Sequence, residues 1–353
     1  MTKTAIVGMS GGVDSSVSAY LLKEAGYRVI GLFMKNWEET DDKGQCKASR
    51  EYEDVIKVCD QIDIPHYTVN FVEEYQTHVF SQFLADIQAG LTPNPDILCN
   101  REIKFKVFLQ KAKELGADYL ATGHYCRTDG QGHLLKGLDP DKDQSYFLHA
   151  VEPGALRSVL FPIGHLQKSE VRKIARKMGL ATSEKKDSTG ICFIGKRDFK
   201  SFLSHYIGYK TGNFETLSGT IVGTHDGAAY YTIGQRKGIG LGGEGEPWYV
   251  IGKDIARNVV LVERGEGHPA LSHSQLEAKE LTWIAEPPPS FPYRCKAKIR
   301  YRQSDQDCVI QKNLHDKITV VFDIPQRAIT PGQSIVFYQG DLCLGGGIIQ
   351  IKN

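Results

Sequence analysis

The stretch Ala5-Ile-Val-Gly-Met-Ser-Gly-Gly-Val-Asp-Ser-Ser-Val17 decides the fold. Ile6 and Val7 lie in a short apolar run suited to a parallel strand covered on both faces. Ser10, Gly11 and Gly12 allow a tight turn, after which Val17, Tyr20, Leu21 and Leu22 supply an apolar stripe at helical spacing. A strand that passes through a glycine turn into a helix aims several orphan amides at one point, and such a terminus is an anion site. No Gly-Lys-Ser/Thr ending follows the glycines, so the lysine that grips the β- and γ-phosphates in a Walker loop is missing. That disfavours a kinase or a GTPase.

Working outward, strand and helix patterns alternate. Tyr27-Arg-Val-Ile-Gly-Leu-Phe33 reads as a second strand, Tyr67-Thr-Val-Asn-Phe71 as a third and Asp118-Tyr-Leu-Ala121 as a fourth. Helical patterns lie between them around Asp54–Cys59, from Glu73 to Gln88 and from Cys99 to Leu115. The expectation is an α/β fold with a doubly wound parallel sheet, whose ligands collect at the carboxyl ends of the strands. The glycine turn, the Met34 region and Thr122-Gly-His-Tyr125 would meet there. A further helix from Gln167 ends at Gly179, a C-cap signal. Between about Thr211 and Gly267 glycines are dense and apolar runs are short, as in Ala228-Ala-Tyr-Tyr-Thr-Ile233 and Asn258-Val-Val-Leu-Val262, which predicts a small mixed domain. After Pro287-Pro-Pro289, alternating segments at Cys295–Arg302, Asp307–Gln311, Ile318–Phe322 and Ser334–Tyr338 predict a small antiparallel β-barrel. The expected division is 1–205, 206–272 and 273–353.

The chain of 353 residues is long enough for two or three domains, and its formal charge of +1 gives no global pull toward nucleic acid. Any such binding must come from local patches. Neither a signal-like apolar segment nor a run of membrane length is present, so a cytoplasmic protein is expected, with no membrane partner. The eight cysteines (46, 59, 99, 126, 192, 295, 308 and 343) form no C-x-x-C pair, which disfavours a zinc ribbon or a thioredoxin motif.

Two cysteines stand apart. Cys99, in Pro93-Asn-Pro-Asp-Ile-Leu-Cys-Asn-Arg-Glu-Ile-Lys-Phe105, falls where a proline-stiffened loop enters a helix. The helix dipole, with Arg101 and Lys104 nearby in sequence, would favour the thiolate, and Asp96 could orient a group or move a proton. Spacing alone equally allows Cys99 to be a small buried hydrophobe and Asp96 a turn cap. Cys192, in Asp187-Ser-Thr-Gly-Ile-Cys-Phe-Ile-Gly195, sits in a glycine-bracketed loop with Lys185, Lys186, Lys196 and Arg197 around it. Cations lower a thiol pKa, although Ile191, Cys192 and Phe193 could also form one apolar plug.

Residues 10–16 resemble the signature of the PP-loop ATP pyrophosphatases, an adenine nucleotide alpha hydrolase-like fold. Together with Phe33-Met-Lys-Asn-Trp37, Asn94-Pro-Asp-Ile-Leu-Cys-Asn100, Ala121-Thr-Gly-His-Tyr125, Lys142-Asp-Gln-Ser145, Gly190-Ile-Cys-Phe-Ile194 and Tyr231-Thr-Ile-Gly-Gln-Arg-Lys-Gly238, they make essentially the whole chain resemble the tRNA-specific 2-thiouridylases. The resemblance implies that Gly8, Met9, Ser10, Gly11, Gly12, Val13, Asp14, Ser15, Met34 and Gly123 contact ATP, used with Mg2+. It implies that Asn94, Pro95 and Asp96 meet the target base, that Cys99 is the nucleophile and that Cys192 carries a persulfide. His124, Lys142, Asp143, Gln144, Arg300, Tyr301 and Gln333 would touch tRNA. The activity implied is adenylation of the C2 oxygen of the wobble uridine, then sulfur transfer, with a Cys99–Cys192 disulfide formed in the direct route. The partners implied are tRNA, through its anticodon stem-loop and for Lys, Glu and Gln, and a persulfide donor, either a cysteine desulfurase or a sulfur-relay protein.

Arg294, Lys296, Lys298, Arg300 and Arg302 recur at every second residue, and on one strand they would line a face of about 27 Å that could track a phosphate backbone. A solvated face, or an edge charged against strand pairing, is the alternative. Residues 167–200 form a second basic region, ten lysines and arginines against four acids. Rival functions are a synthetase that uses ammonia, an ATP-responsive RNA-binding module without chemistry, and an iron–sulfur thiolase, the last disfavoured by the missing C-x-x-C.

Overall fold

The computed structural model describes residues 2–37, 47–187, 198–312 and 317–350. Cys192 and the surrounding 190–194 motif lie outside the described residues, as does Cys46.

The amino-terminal sheet contains β1 (Thr4–Met9), β2 (Arg28–Lys35), β3 (His66–Asn70), β4 (Tyr119–Ala121) and, beyond a hairpin of β5 (Cys126–Thr128) and β6 (Leu134–Lys136), β7 (Val159–Leu160). All five strands are parallel, in the order β3-β2-β1-β4-β7. The sheet is covered on both faces. Ile6, Leu32 and Leu120 face a core with Phe71, Phe83, Ile103 and Phe108, while Val7, Phe33 and Ala121 face Val17, Val55, Val171 and Ala175. This is why the strands read as continuous apolar runs. The chain builds outward from β1 to β3 and then crosses back to β4, so the switch point lies between β1 and β4. The glycine turn and the Thr122–Tyr125 loop leave the sheet on either side of it.

The helix Lys168–Lys177 packs beside the helix Val13–Glu24. Gln167 and Glu170 form its capping box, and Gly179 takes the left-handed conformation (φ +62°) expected beyond its end.

The central sheet consists of β8 (Gly212–Glu215), β9 (Ile221–His225), β10 (Trp248–Asp254) and β11 (Val259–Arg264), in the order β10-β11-β8-β9, with β11 and β8 parallel and the other pairs antiparallel. Of the two short apolar runs, 258–262 falls largely in β11, whereas 228–233 forms no strand: Ala228–Tyr230 is a 3-10 turn. Side chains take its backbone donors, with Gly227 N donating to His225 Nδ1 (3.0 Å) and Ala228 N to Asn258 Oδ1 (3.0 Å). Tyr231 packs edge-on against Phe214.

The third sheet closes on itself. β12 (Ser272–Trp283), β13 (Tyr293–Lys298), β14 (Gln306–Lys312), β15 (Ile318–Arg327), β16 (Ser334–Gln339) and β17 (Leu342–Ile349) run β12-β15-β14-β13-β16-β17, and β17 pairs back to β12. The result is a six-stranded antiparallel barrel around Ala278, Ala297, Cys308, Ile310, Val320 and Phe337. The β5–β6 hairpin joins this sheet through Leu135 and Leu342, so a segment of the expected 1–205 division also extends the barrel. Among the described residues no helix is long and apolar enough to cross a membrane.

Candidate active site and nucleic-acid interface

Ser10 follows the last residue of β1, and Gly11 turns the chain with a φ of +68°. A Cβ on Gly11 would lie 2.5 Å from the Glu51 carbonyl oxygen, so both the conformation and the space require glycine. Gly12 caps the following helix in an extended conformation and, lacking a side chain, leaves the first amides uncapped. Ser15 and Ser16 fold back to donate to the Gly12 carbonyl (3.1 and 2.8 Å), and Ser10 N donates to Ser15 Oγ (3.2 Å). The Thr122–Tyr125 loop presses on this turn. A Cβ at Gly123 would lie 2.8 Å from Ser15 N and 2.9 Å from Asp14 C, and the Tyr125 hydroxyl donates to Asp14 Oδ1 at 2.8 Å. Burial and the adjoining Asp14 push the Tyr125 hydroxyl far above its ordinary pKa, so it stays protonated as the donor. Met34 lies in β2 one residue past Phe33, the partner of Met9, and so at the same end of the sheet. The three stretches expected to converge do so. An uncapped helix start behind a left-handed glycine suits the phosphates of an adenine nucleotide.

A charge network surrounds the turn. Lys168 Nζ lies 2.8 Å from both Asp14 oxygens and 2.8 Å from Asp187 Oδ1. Asp187 also receives Lys142 (2.7 Å) and Arg172 (2.7 Å), while Lys185 reaches Asp54 (2.7 Å) and the Gly11 carbonyl (2.8 Å). Burial alone would raise the Asp187 carboxyl, but hydrogen bonds from Lys142 and Lys168 outweigh it and hold the group well below the usual carboxylate range. Sequence reading found the basic region but not its direction. The i, i+4 spacing of Lys168 and Arg172, beside buried Val171 and Ala175, was the available signal that both face inward.

The loop before Cys99 is stiffened as expected, yet the helix starts earlier. Asn94 Oδ1 accepts from Asp96 N (3.1 Å), Pro95 takes the first helical position, and the helical run extends over 95–114, wound in π-type turns from Cys99 to Phe108. Cys99 therefore sits a full turn inside the helix, 3% exposed, where the dipole has weakened. Arg101 is engaged by Glu102 at 2.7 Å. Burial raises the Asp96 carboxyl, with Lys104 offsetting part of the effect. A carboxyl so placed is suited to hold a proton. The loop also meets the barrel, with Thr92 N donating to the Pro331 carbonyl (2.9 Å) and Gln333 Nε2 to the Thr92 carbonyl (2.6 Å).

The other positions expected to touch tRNA divide by exposure. His124 is buried between Phe105 and Phe161, bonded through Nδ1 to Thr122 Oγ1 (2.8 Å), and burial lowers its pKa well below the ordinary value. Asp143 is buried too, accepting from Gly137 N (3.0 Å) and Ser145 Oγ (3.0 Å), and Gln144 accepts from Tyr125 N (3.0 Å). With Lys142 committed to Asp187, this segment joins the nucleotide domain to the barrel. Tyr301 is half-buried against Phe147 (4.5 Å between ring centroids), and Asn100 Nδ2 donates to the Phe147 carbonyl (3.2 Å), which brings the Cys99 helix beside the barrel. Arg300 is exposed.

The continuous basic row does not exist. β13 ends at Lys298, and Ile299 to Arg302 form a bend and turn in which Arg302 has a φ of +63°. Each cation on the strand faces acid: Arg294 meets Asp323, Lys296 meets Asp307 (3.4 Å), and Lys298, 9% exposed, meets Asp143 (3.5 Å) and Asp305 (3.8 Å). Alternation revealed the strand, but cross-strand partners cannot be read from one strand's sequence.

Fold and site together define an adenine nucleotide alpha hydrolase-like domain of the PP-loop class, followed by a small mixed sheet and a closed barrel. Family models described as the tRNA methyl transferase HUP domain, PRC-barrel domain and aminomethyltransferase beta-barrel domain match residues 3–196, 200–264 and 273–349. A tRNA-specific 2-thiouridylase of Protochlamydia amoebophila is 62% identical over 352 residues, covering 99% of this chain and 93% of its own. Its counterpart from Geobacillus thermodenitrificans is 56% identical, covering 98% and 94%. The chain belongs to the tRNA-specific 2-thiouridylase family. Among solved structures, a U34-tRNA thiolase of Methanococcus maripaludis with its 4Fe-4S cluster aligns at 20% identity and a TM-score of 0.34, over 58% of this chain and 65% of that one.

Proposed function

We propose that this protein is the ATP-dependent tRNA-uridine 2-sulfurtransferase that its family membership indicates, thiolating the wobble uridine. The observation that carries the reading is the placement of the uncapped glycine turn and the Cys99 helix on one sheet. The helical run that begins before Cys99 packs on β1, the strand that leads into the turn, so that a Cβ on Gly8 of that strand would lie 3.0 Å from the Phe108 ring. ATP, with Mg2+, would be held by Gly8 to Ser15, Met34 and Gly123, and it would supply the adenylyl group that turns the uridine C2 oxygen into a leaving group.

The chain's own groups do the rest. The loop Asn94, Pro95 and Asp96 would take the base, with the raised Asp96 carboxyl holding or moving a proton beside it. The outer sulfur of a Cys192 persulfide becomes bonded to C2 as AMP leaves. Attack by Cys99 on the inner sulfur then releases the thiocarbonyl and leaves a Cys99–Cys192 disulfide, which an external dithiol reduces. In the alternative order, Cys99 first frees hydrosulfide from Cys192. An anticodon loop can present the splayed-out base that such a site needs. Arg300, Tyr301 and Gln333, with the Lys142–Gln144 segment and His124 behind them, would form the tRNA side of the crevice. The sulfur would come from a desulfurase or relay protein in the cytoplasm, and the tRNAs would be those for Lys, Glu and Gln. The 1–205 segment would then be catalytic and the 273–353 barrel would bind tRNA.

Cys99→Ser and Cys192→Ser test this reading. Both variants should bind tRNA within about twofold of wild type in a filter assay and form no thiouridine. Thiolation by either variant at the wild-type rate overturns the assignment.

A further inference from the structure

The glycine turn has no lysine of its own, and its packing explains why. Val13, directly after the glycines, is buried in the core, and Ser15 and Ser16 fold back on the Gly12 carbonyl. A cation for the phosphates must come from elsewhere in the chain. Two do arrive, from positions 154 and 174 residues away: Lys168 Nζ at 2.8 Å from both Asp14 oxygens, and Lys185 Nζ at 2.8 Å from the Gly11 carbonyl. The Lys168 side chain is only 13% exposed, so it is held at depth and does not sweep through solvent.

We propose that Lys168 and Lys185 are the phosphate-gripping cations of the nucleotide site, doing from outside the turn what a Walker lysine does from within it. The assignment rests on the ATP reading of the turn. Three carboxylates (Asp14, Asp54 and Asp187) and four cations (Lys142, Lys168, Arg172 and Lys185) crowd the uncapped helix start, an excess of one positive charge. Without the two lysines a triphosphate would meet that helix start beside a net negative cluster. Asp14 and Asp187 engage all three donors of the Lys168 ammonium group, so to grip a phosphate it exchanges one carboxylate oxygen for a phosphate oxygen and keeps the other two.

The test is calorimetric titration of the full chain with ATP, inorganic pyrophosphate and adenosine. Lys168→Met and Lys185→Met should each weaken ATP and pyrophosphate at least tenfold and leave adenosine within twofold, and Lys168→Arg should retain ATP within about fivefold. Arg176→Ala, which removes one charge from the exposed side of the same helix, should leave all three probes within twofold. The double variant Lys168→Met/Asp187→Asn separates contact from mere neutralisation of Asp187. The ATP loss should persist in it, and recovery to wild-type affinity overturns the assignment. ATP affinity unchanged in the single variants overturns it as well, as does an equal fall for adenosine. Wild-type protein that binds none of the probes overturns the nucleotide reading itself.

Discussion

Gly123→Ala should injure the nucleotide turn from the opposite side of the switch point. The added Cβ would lie 2.8 Å from Ser15 N and 2.9 Å from Asp14 C, where ordinary contact begins near 3.4 Å, so the helix start or the loop must move by about 0.6 Å. Both clashing atoms are backbone and cannot swing aside. The turn they belong to is tied by Thr182 Oγ1 to Ser16 Oγ (2.9 Å) and by Tyr125 to Asp14 (2.8 Å). Overpacking of this kind costs about 1–3 kcal/mol, which in a domain of this size lowers Tm by roughly 2–4 °C per kcal/mol. The functional effect should be larger than the loss of stability. A misplacement of about 1 Å can cost about a hundredfold in rate, so a shift of roughly 0.6 Å should reduce thiolation about tenfold or more, with a matching loss of ATP affinity. Thermal scanning, ATP calorimetry and single-turnover thiolation read the three quantities. Gly208→Ala, where nothing lies within 4 Å, serves as the control. Gly123→Ala indistinguishable from Gly208→Ala in all three would refute the close packing of the two loops.

Further substitutions probe other parts of the site. Because burial raises the Asp96 carboxyl in the folded state, its ionisation costs stability: the favourable contribution is complete at low pH and is lost as pH rises through the raised value. Asp96→Asn should therefore be at least as stable as wild type at pH 7 and lack that decline in a pH series of Tm, while thiolation falls about a hundredfold. Lys298→Met leaves the Asp143 carboxylate, 4% exposed, without its cation and should cost about 3–5 kcal/mol in urea unfolding, whereas Lys296→Met, at 45% exposure, should cost under about 1 kcal/mol. Arg300→Ala should weaken tRNA binding and reduce the magnitude of the slope of log K against log salt by about one, and Arg294→Ala, already paired with Asp323, should not.

The parallel sheet was legible because β1, β2 and β4 are buried on both faces and their apolar runs need no partner to be recognised, while β3, a half-exposed edge strand, was read from the alternation of strand and helix around it. β7 escaped because two residues, Val159 and Leu160, carry no periodicity, and β12 escaped because its twelve residues mix buried Leu276 and Ala278 with an exposed polar flank. Asn94-Pro95 carried a readable start signal, an N-cap followed by proline at the first helical position, so the early start of the Cys99 helix was available from local chemistry. The partners of Lys168 and Lys185 were not, because Asp14 and Asp54 arrive from a different part of the chain. The same holds for the basic strand: Arg294, Lys296 and Lys298 look like an RNA track until Asp323, Asp307 and Asp143 are placed opposite them. Charge rows report a surface only once their counter-charges are known.

The most direct measurement is incubation of the full chain with unmodified tRNA, ATP-Mg and a persulfide donor, followed by mass spectrometry of the nucleosides. One 2-thiouridine per tRNA, formed with equimolar AMP and pyrophosphate and lost in Cys99→Ser and Cys192→Ser, is the expected result. Unthiolated tRNA in the presence of a donor that serves another 2-thiouridylase would contradict it.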